Sequence, residues 1–442
     1  MDSAEKAYTL LKDLIRVDTS NPPGNETAAA ELVARFLKDA GVESRLIEKE
    51  PGRGNLVARV DPSDQAQGEG GAVLVSAHLD TVPADAADWK HAPWSGAEVD
   101  GFLWGRGAID VKNGVAMHAA LLAEAKRRGG LKRPLVFAAV ADEEAGCALG
   151  SRYLAEAHPD LVRSEYFLGE GGGMTQWAMG RKIFPIGAAE KGQMYVRLSF
   201  LGEGGHASIP NPDDAAFLLG RFLDRLGGGL PIHLTAPAQR FLSDLGDCVG
   251  GARGAAVGLL RWPPAARALA GRLPAPTGQA IRAMLSNTAS PTRVSASGAP
   301  NAIPREIVCE LDVRTLPGMS SDTVLNELRA LAGAGARISV LHESPAVVSS
   351  PDTPLFRHLC ERVRAHVPDA APVPILIPGY TDAKWFSRNS KHCYGFLPVL
   401  NDDPAEAGRF RTLMHGVDER ISKDAFLKGY RLLEDAVLSF CS

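Results

Sequence analysis

At 442 residues the chain is longer than one hydrophobic core ordinarily supports, so two or three domains are expected. Hydrophobic residues make up 45% and charged residues 23%, the balance of a globular protein and not of a disordered or fibrous one. A net charge of −4 at pH 7 leaves no basic excess, which argues against nucleic acid as the main partner.

The start, "MDSAEKAYTLLKDLIRVDTS", lacks the basic-then-apolar order of a secretory signal, and no apolar run reaches the roughly 20 residues of a membrane span. Six scattered cysteines without CxxC spacing suit reduced thiols, so a cytoplasmic protein with no membrane partner is expected. Helical spacing at residues 5–17 and 27–40 flanks the turn-rich "DTSNPPGNE". The valine-rich runs "NLVARVD" and "GAVLVSAHLD" read as strands, and "GAIDVKNGVAMHAALLAEAKRRGG" as a turn entering a helix with a glycine stop. A buried strand in "RPLVFAAVADEE", a helix in "GSRYLAEAHPDL" and a strand in "SEYFLGEGGG" follow. This alternation predicts an α/β layer on a mostly parallel sheet flanked by helices.

From about Gly192 the texture becomes that of an inserted α+β domain, with half-exposed strands in "QMYVRLSFLGEGG", "REIVCELDVRTLPG" and "ARISVLHES" and helices in "DDAAFLLGRFLDRL" and at 321–332. Residues 236–290 are rich in Ala, Gly, Leu and Pro, helical in places, and carry no chemical motif. After Val347 the α/β pattern resumes through a helix at 354–366, "VPILIPGYTD" and a last helix at 423–440. The expected division is residues 1–189 and 347–442 for one domain and 190–346 for the other.

Metal-type residues gather at predicted strand ends, where sites in such sheets form. His78 and Asp80, two apart in "LVSAHLD", suit a metal-ligating imidazole and the carboxylate that orients it. Asp110 precedes a helix in "GRGAID", Glu143 and Glu144 follow a strand in "ADEE", and Glu170 lies in "FLGEGG". Adjacent glutamates beyond a buried strand repel each other and are costly to bury unpaired. A site for two divalent ions explains them, because one glutamate can hold metal while its neighbour serves as general base for amide hydrolysis.

The ordered segments "SAHLDTVPA", "GRGAIDVKNG", "ADEEAG", "GEGGG", "GHASIP" and "MHGVDERI" resemble the signatures of the M20 metallopeptidases, a family of carboxypeptidases, deacylases and dipeptidases. The resemblance implies a zinc-peptidase-like catalytic domain with an inserted ferredoxin-like lid. It further implies two Zn2+ per chain, with Co2+ or Mn2+ as substitutes. His78 and Glu170 would hold one ion and Glu144 and His415 the other, bridged by Asp110. Asp80 would orient His78, and Glu143 would be the base. His206 in "GGHAS" resembles the lid histidine that stabilises the oxyanion, commonly from the partner subunit, and the long lid leaves open whether it acts in its own subunit or across a dimer; Asn301 and Arg314 resemble lid positions that bind the substrate carboxylate. Thr381 and Asp382 in "GYTDAKWF" resemble a substrate-side loop in which Tyr380 replaces a small residue.

The resemblance implies a small-molecule substrate, a peptide or N-acyl amino acid with a free carboxylate, hydrolysed by metal-activated water. Glu170 favours this over a dipeptidase that needs a free substrate amine. A non-catalytic metal-binding scaffold is the remote alternative, since no ligand or base is missing. In many members the lid also carries a homodimer interface. The segment between His206 and Asn301 is longer than in compact members and nearer the carboxypeptidase S-like branch. Its Leu259, Leu260, Trp262 and Leu269 are read, by a narrow margin, as an acyl or side-chain pocket over an extra core for the lid or a modified dimer interface. The remaining histidines, His118 among them, read as surface or packing residues. Neither glycine-rich stretch completes a nucleotide loop, and Ser151 and Ser208 lack a nucleophile elbow.

Overall fold

A computed structural model describes residues 2–62, 70–269 and 277–442. The chain packs as two units, one of Met1–Ala188, Ser349–Ile375 and Thr381–Ser442, the other of Ala189–Val348 and Leu376–Tyr380.

In the first unit, strands Val73–His78 and Leu135–Val140 are buried along their whole length, which is why both read as unbroken apolar runs. The sheet runs Ser44–Glu48, Gly54–Val60, Leu135–Val140, Val73–His78, Ser164–Gly169, Ser390–Gly395, Arg181–Glu190. Its four central strands are parallel and its flanking pairs antiparallel. Three of these parallel strands therefore end at one edge, at His78, Val140 and Gly169, and the residues just beyond them converge there.

Helix Lys112–Arg128 is buried on almost every side, between this sheet and helices Ser3–Ile15, Glu26–Asp39 and Lys423–Cys441. The sheet's other face is covered as well. Phe167 stacks 5.5 Å from Phe386, while its neighbours Tyr166 and Leu168 turn into the opposite core, as strand alternation requires. Lys112 threads that core and donates from Nζ to the carbonyls of Leu14 and Val17, at 3.1 and 2.7 Å, closing the end of the first helix. The glycines of "GEGGG" serve backbone packing. A Cβ on Gly172 would lie 2.3 Å from the Gly395 carbonyl oxygen, so only glycine lets the two chains pass.

The second unit is a four-stranded antiparallel sheet ordered Thr288–Ala296, Glu306–Thr315, Gly192–Leu201, Ala336–Ser344. Helices Ala215–Gly227 and Ser321–Ala332 cover one face and seal a core that includes Val196, Leu198, Phe222, Leu311, Val313 and Leu328. The order and the strand-helix-strand-strand-helix-strand connection are the ferredoxin-like arrangement expected from the sequence. Helices Ala236–Val249, Gly251–Leu259, Pro263–Leu269 and Thr277–Leu285 are inserted before Thr288–Ala296. The residues read as a pocket, Leu259, Leu260, Trp262 and Leu269, lie on or beside these helices. Leu260 is buried, but Leu259, Trp262 and Leu269 face outward.

His118, on the buried helix, packs edge-on to Phe137 with neither ring nitrogen hydrogen-bonded to any described residue. Burial therefore lowers its pKa from the ordinary 6.5 to about 3. As pH falls below 6.5 the unfolded chain takes up a proton that the folded chain refuses, so this group removes stability down to about pH 3. His118→Leu should flatten the decline in stability between pH 7 and pH 4, read by denaturant unfolding; an unchanged slope would show that His118 is not buried neutral.

Candidate metal centre

Asp110 joins two imidazoles. Its Oδ1 lies 3.2 Å from Nε2 of His78, the last residue of its strand, and its Oδ2 lies 3.0 Å from Nε2 of His415. Glu144 Oε2 is 3.2 Å from the same His415 nitrogen, and Glu143 and Glu170 each place an oxygen 3.9 Å from His78 Nε2. Two triads result, His78–Asp110–Glu170 and Asp110–Glu144–His415, each with its ligand-type atoms within 4.8 Å of one another. The five residues come from three strand ends, a helix start and a C-terminal loop. His415 holds φ +58°, a left-handed backbone that non-glycine residues seldom adopt.

A ring of buried polar groups fixes these side chains. His78 Nδ1 donates to the Asp80 carbonyl at 2.9 Å, while the Asp80 carboxylate lies farther off, at 3.5 Å. That carboxylate instead accepts the backbone N–H groups of Glu143 and Glu144, both at 3.1 Å, and Asn21 Nδ2 at 2.9 Å. Asp80 thus orients the adjacent glutamates directly and the imidazole through its main chain. Asn21 reaches on to Asp142, which also accepts from Arg53, itself forked onto Glu26. On the other side, Glu419 accepts from the N–H groups of Ile109 and Asp110 and from Arg106 Nη1 at 2.8 Å, and Arg106 Nη2 reaches the His415 carbonyl. Asn21, Arg106 and Glu419 were not singled out in the sequence, although all three lie inside or beside the recognised segments.

The electrostatics are those of crowded acids. Burial, then the charge of Glu170, holds the Glu143 carboxyl well above the usual range, and burial does the same to Glu170. Burial likewise lifts Asp80 to about 7. Asp110 is pulled below the ordinary value, because hydrogen bonds from His415 and His78 outweigh its burial. His415, bonded to Asp110 and then Glu144, rises to about 10. Without added positive charge, protons must remain on several of these acids. Glu144 Oε1 is buried with no hydrogen-bond partner among the described residues, an orphaned acceptor that a cation would satisfy. Carboxylate and imidazole donors are the set that zinc and its neighbours in the first transition series accept, so the residues fit divalent ions.

Thr381 and Asp382 are both buried, and the Cys147 thiol approaches Asp382 Oδ1 at 3.7 Å. In the second unit, His206 is exposed on the short strand Gly205–His206, which pairs with Ala302–Ile303, and the Ala207 N–H donates to the Asn301 carbonyl. His206 Nδ1 lies 2.8 Å from the Ser208 hydroxyl and 3.2 Å from the Ser208 backbone N–H, which leaves Nε2 without a partner from this turn. Arg314 is forked onto Asp312, with the Tyr380 ring 5.2 Å from its guanidinium carbon. Its Nη1 has no hydrogen-bond partner among the described residues.

The model of peptidase family M20/M25/M40 matches residues 74–439. The chain belongs to this family. It is a metallohydrolase of the M20 type, a class that hydrolyses amide bonds. It is 26% identical over 380 residues to the probable carboxypeptidase S-like 2 of Dictyostelium discoideum, covering 82% of this chain and 70% of that protein. It is 25% identical over 444 residues to the N-fatty-acyl-amino acid synthase/hydrolase of Mus musculus, covering 93% and 83%. Among solved structures, an M20 family metallo-carboxypeptidase from Sulfolobus solfataricus aligns over 99% of both chains with a TM-score of 0.71 at 17% identity, which shows the fold. No helix among the described residues is long and apolar enough to cross a membrane.

The Glu419–Arg106 pair is almost wholly buried, so Glu419→Ala leaves a buried cation and two backbone donors unmatched. The variant should lose about 3–5 kcal/mol of stability by denaturant unfolding. Pairing Glu419→Leu with Arg106→Met should recover part of that loss. Equal stability of Glu419→Ala and the parent would show that the pair does not hold the Asp110 turn.

Proposed function

We propose that the enzyme binds two divalent ions, zinc by preference, one at His78, Asp110 and Glu170 and the other at Asp110, Glu144 and His415. The observation that carries this reading is Asp110, a single buried carboxylate shared by two imidazoles within two ligand triads. Ions held there lower the pKa of a water molecule and polarise a substrate carbonyl.

The substrate proposed is a peptide or N-acyl amino acid ending in a free carboxylate. Glu143 is the base: it takes a proton from the attacking water and returns it to the leaving nitrogen as the amide breaks. Support comes from its burial beside the triads, 3.9 Å from His78 Nε2, and from the raised proton affinity that this burial gives it. From the family resemblance, His206, of this subunit or of a partner, is the proposed donor to the negative oxygen that develops, and the Arg314 guanidinium with Asn301 the proposed ligands of the substrate carboxylate. Tyr380, the departure from the family's small residue, stacks on that guanidinium and helps fix its plane. A carboxypeptidase S-like relative and an N-fatty-acyl-amino acid hydrolase relative agree with a substrate that has a free carboxylate and a blocked amine.

Amine release from a matched panel of N-acyl amino acids and dipeptides, with and without a chelator, tests the reading. Cleavage of blocked substrates that chelation abolishes is expected; cleavage confined to substrates with a free amine would move the enzyme to the dipeptidases. Glu143→Ala should lower kcat by roughly 10²–10⁴-fold while metal analysis still finds about two ions per chain. Parental turnover in that variant would remove Glu143 from the role of base.

A further inference from the structure

The Arg314 guanidinium is forked onto Asp312, Nε at 2.7 Å and Nη2 at 2.9 Å, and Gln193 Nε2 donates to the same carboxylate at 3.3 Å. The arginine and the aspartate cancel, so a carboxylate brought to the remaining Nη1 edge would meet a pair without net charge. Lys191 stands on the same face of the sheet. It lies two residues before Gln193, and its Nζ is 3.5 Å from Oγ1 of Thr288, the residue paired directly across from Arg314. The lysine is fully buried, and its one short hydrogen bond, 2.7 Å, goes to the Ser286 carbonyl. No carboxylate among the described residues pairs with it. Burial, then the charge of Arg314, lowers its pKa from 10.5 to about 7.

A buried ammonium without an acid is costly to keep, and this one faces a second cation as well. Holding the Ser286 carbonyl does not explain it, since a neutral amide donor would serve. An anion brought to Arg314 does, because Lys191 is the one charge of the three that nothing in the protein cancels. The orphaned Nη1 marks where that anion would bond, and attraction from Lys191 acts through buried protein instead of water. A carboxylate there also favours the charged lysine, so binding and protonation support each other. We propose that Lys191 determines specificity at this subsite: it supplies the net attraction for a substrate carboxylate that Arg314 bonds but that the Arg314–Asp312 pair cannot attract alone. Lys191 touches no substrate atom and acts through the field it adds around the guanidinium. The inference rests on the proposed role of Arg314 and deepens it, because it makes a charged carboxylate, and not an amide, the chemistry selected.

The test is calorimetric binding to the metal-loaded Glu143→Ala enzyme, so that nothing is cleaved. The probes are N-acetyl amino acids and their carboxamides, matched for glycine, leucine and phenylalanine. In at least one pair the carboxylate should bind about tenfold tighter or more. Lys191→Met and Lys191→Gln should each erase about tenfold of that preference by weakening the carboxylate alone, with Kd for the carboxamide within about twofold. Thermal melts should match that of the unmodified lysine, and Lys191→Gln decides if Lys191→Met melts early. A role confined to holding Ser286 predicts that glutamine, which keeps a donor there, restores the preference, or that both ligands weaken alike. Either result overturns the proposal, as does an unchanged preference in both variants. Arg314→Gln separates the two readings. If that variant keeps the preference, or the starting enzyme shows none, the role of Arg314 fails and this proposal with it. If Arg314→Gln loses the preference and the lysine variants keep it, only Lys191 is removed.

Discussion

Asp110 gives one oxygen to His78 and the other to His415, and the sheet edge is arranged around that shared carboxylate. Glu143, Glu144, Glu170 and Asp382 crowd the same region, and burial together with the neighbouring charges raises the proton affinity of Glu143 and Glu170. Such an arrangement is self-repelling, and it persists because the framework beneath it is over-determined. Asp80 ties down two backbone N–H groups and Glu419 two more, and Arg53 and Arg106 supply fixed positive charge behind the acids. The protein spends packing stability to hold negative charge where cations can neutralise it, the usual exchange between stability and activity at a reactive site.

How far the sequence revealed this depended on chemistry type. His78, Asp110, Glu144, Glu170 and His415 were legible because ligand-type residues at strand ends are conspicuous and because the ordered segments resemble a known family. Glu419 and Arg106 were not, since a buried ion pair is written in the same letters as solvated surface charge. Asp80 was recognised for the imidazole, yet its carboxylate faces the Glu143–Glu144 turn, a distinction made by side-chain direction and not by spacing. The central strands were clear from their unbroken apolar runs. The inserted helices were less so, because Leu259, Leu260 and Trp262 share an apolar spelling while burial separates them.

In the second unit, the small local turn His206–Ala207–Ser208 engages Nδ1 of the ring, and a strand pairing keeps Asn301 beside it. These are main-chain constraints on side-chain chemistry.

The triads join residues from position 78 to position 415, and the last helix, Lys423–Cys441, packs on the first, Ser3–Ile15. Loop closure on this scale makes folding slow and defers the reward of native contacts. During synthesis the acids of the first half therefore emerge long before the histidine and the glutamate that complete their surroundings. The centre is therefore incomplete until the chain has been made as far as His415, and a chain ended before that residue lacks one of the two imidazoles.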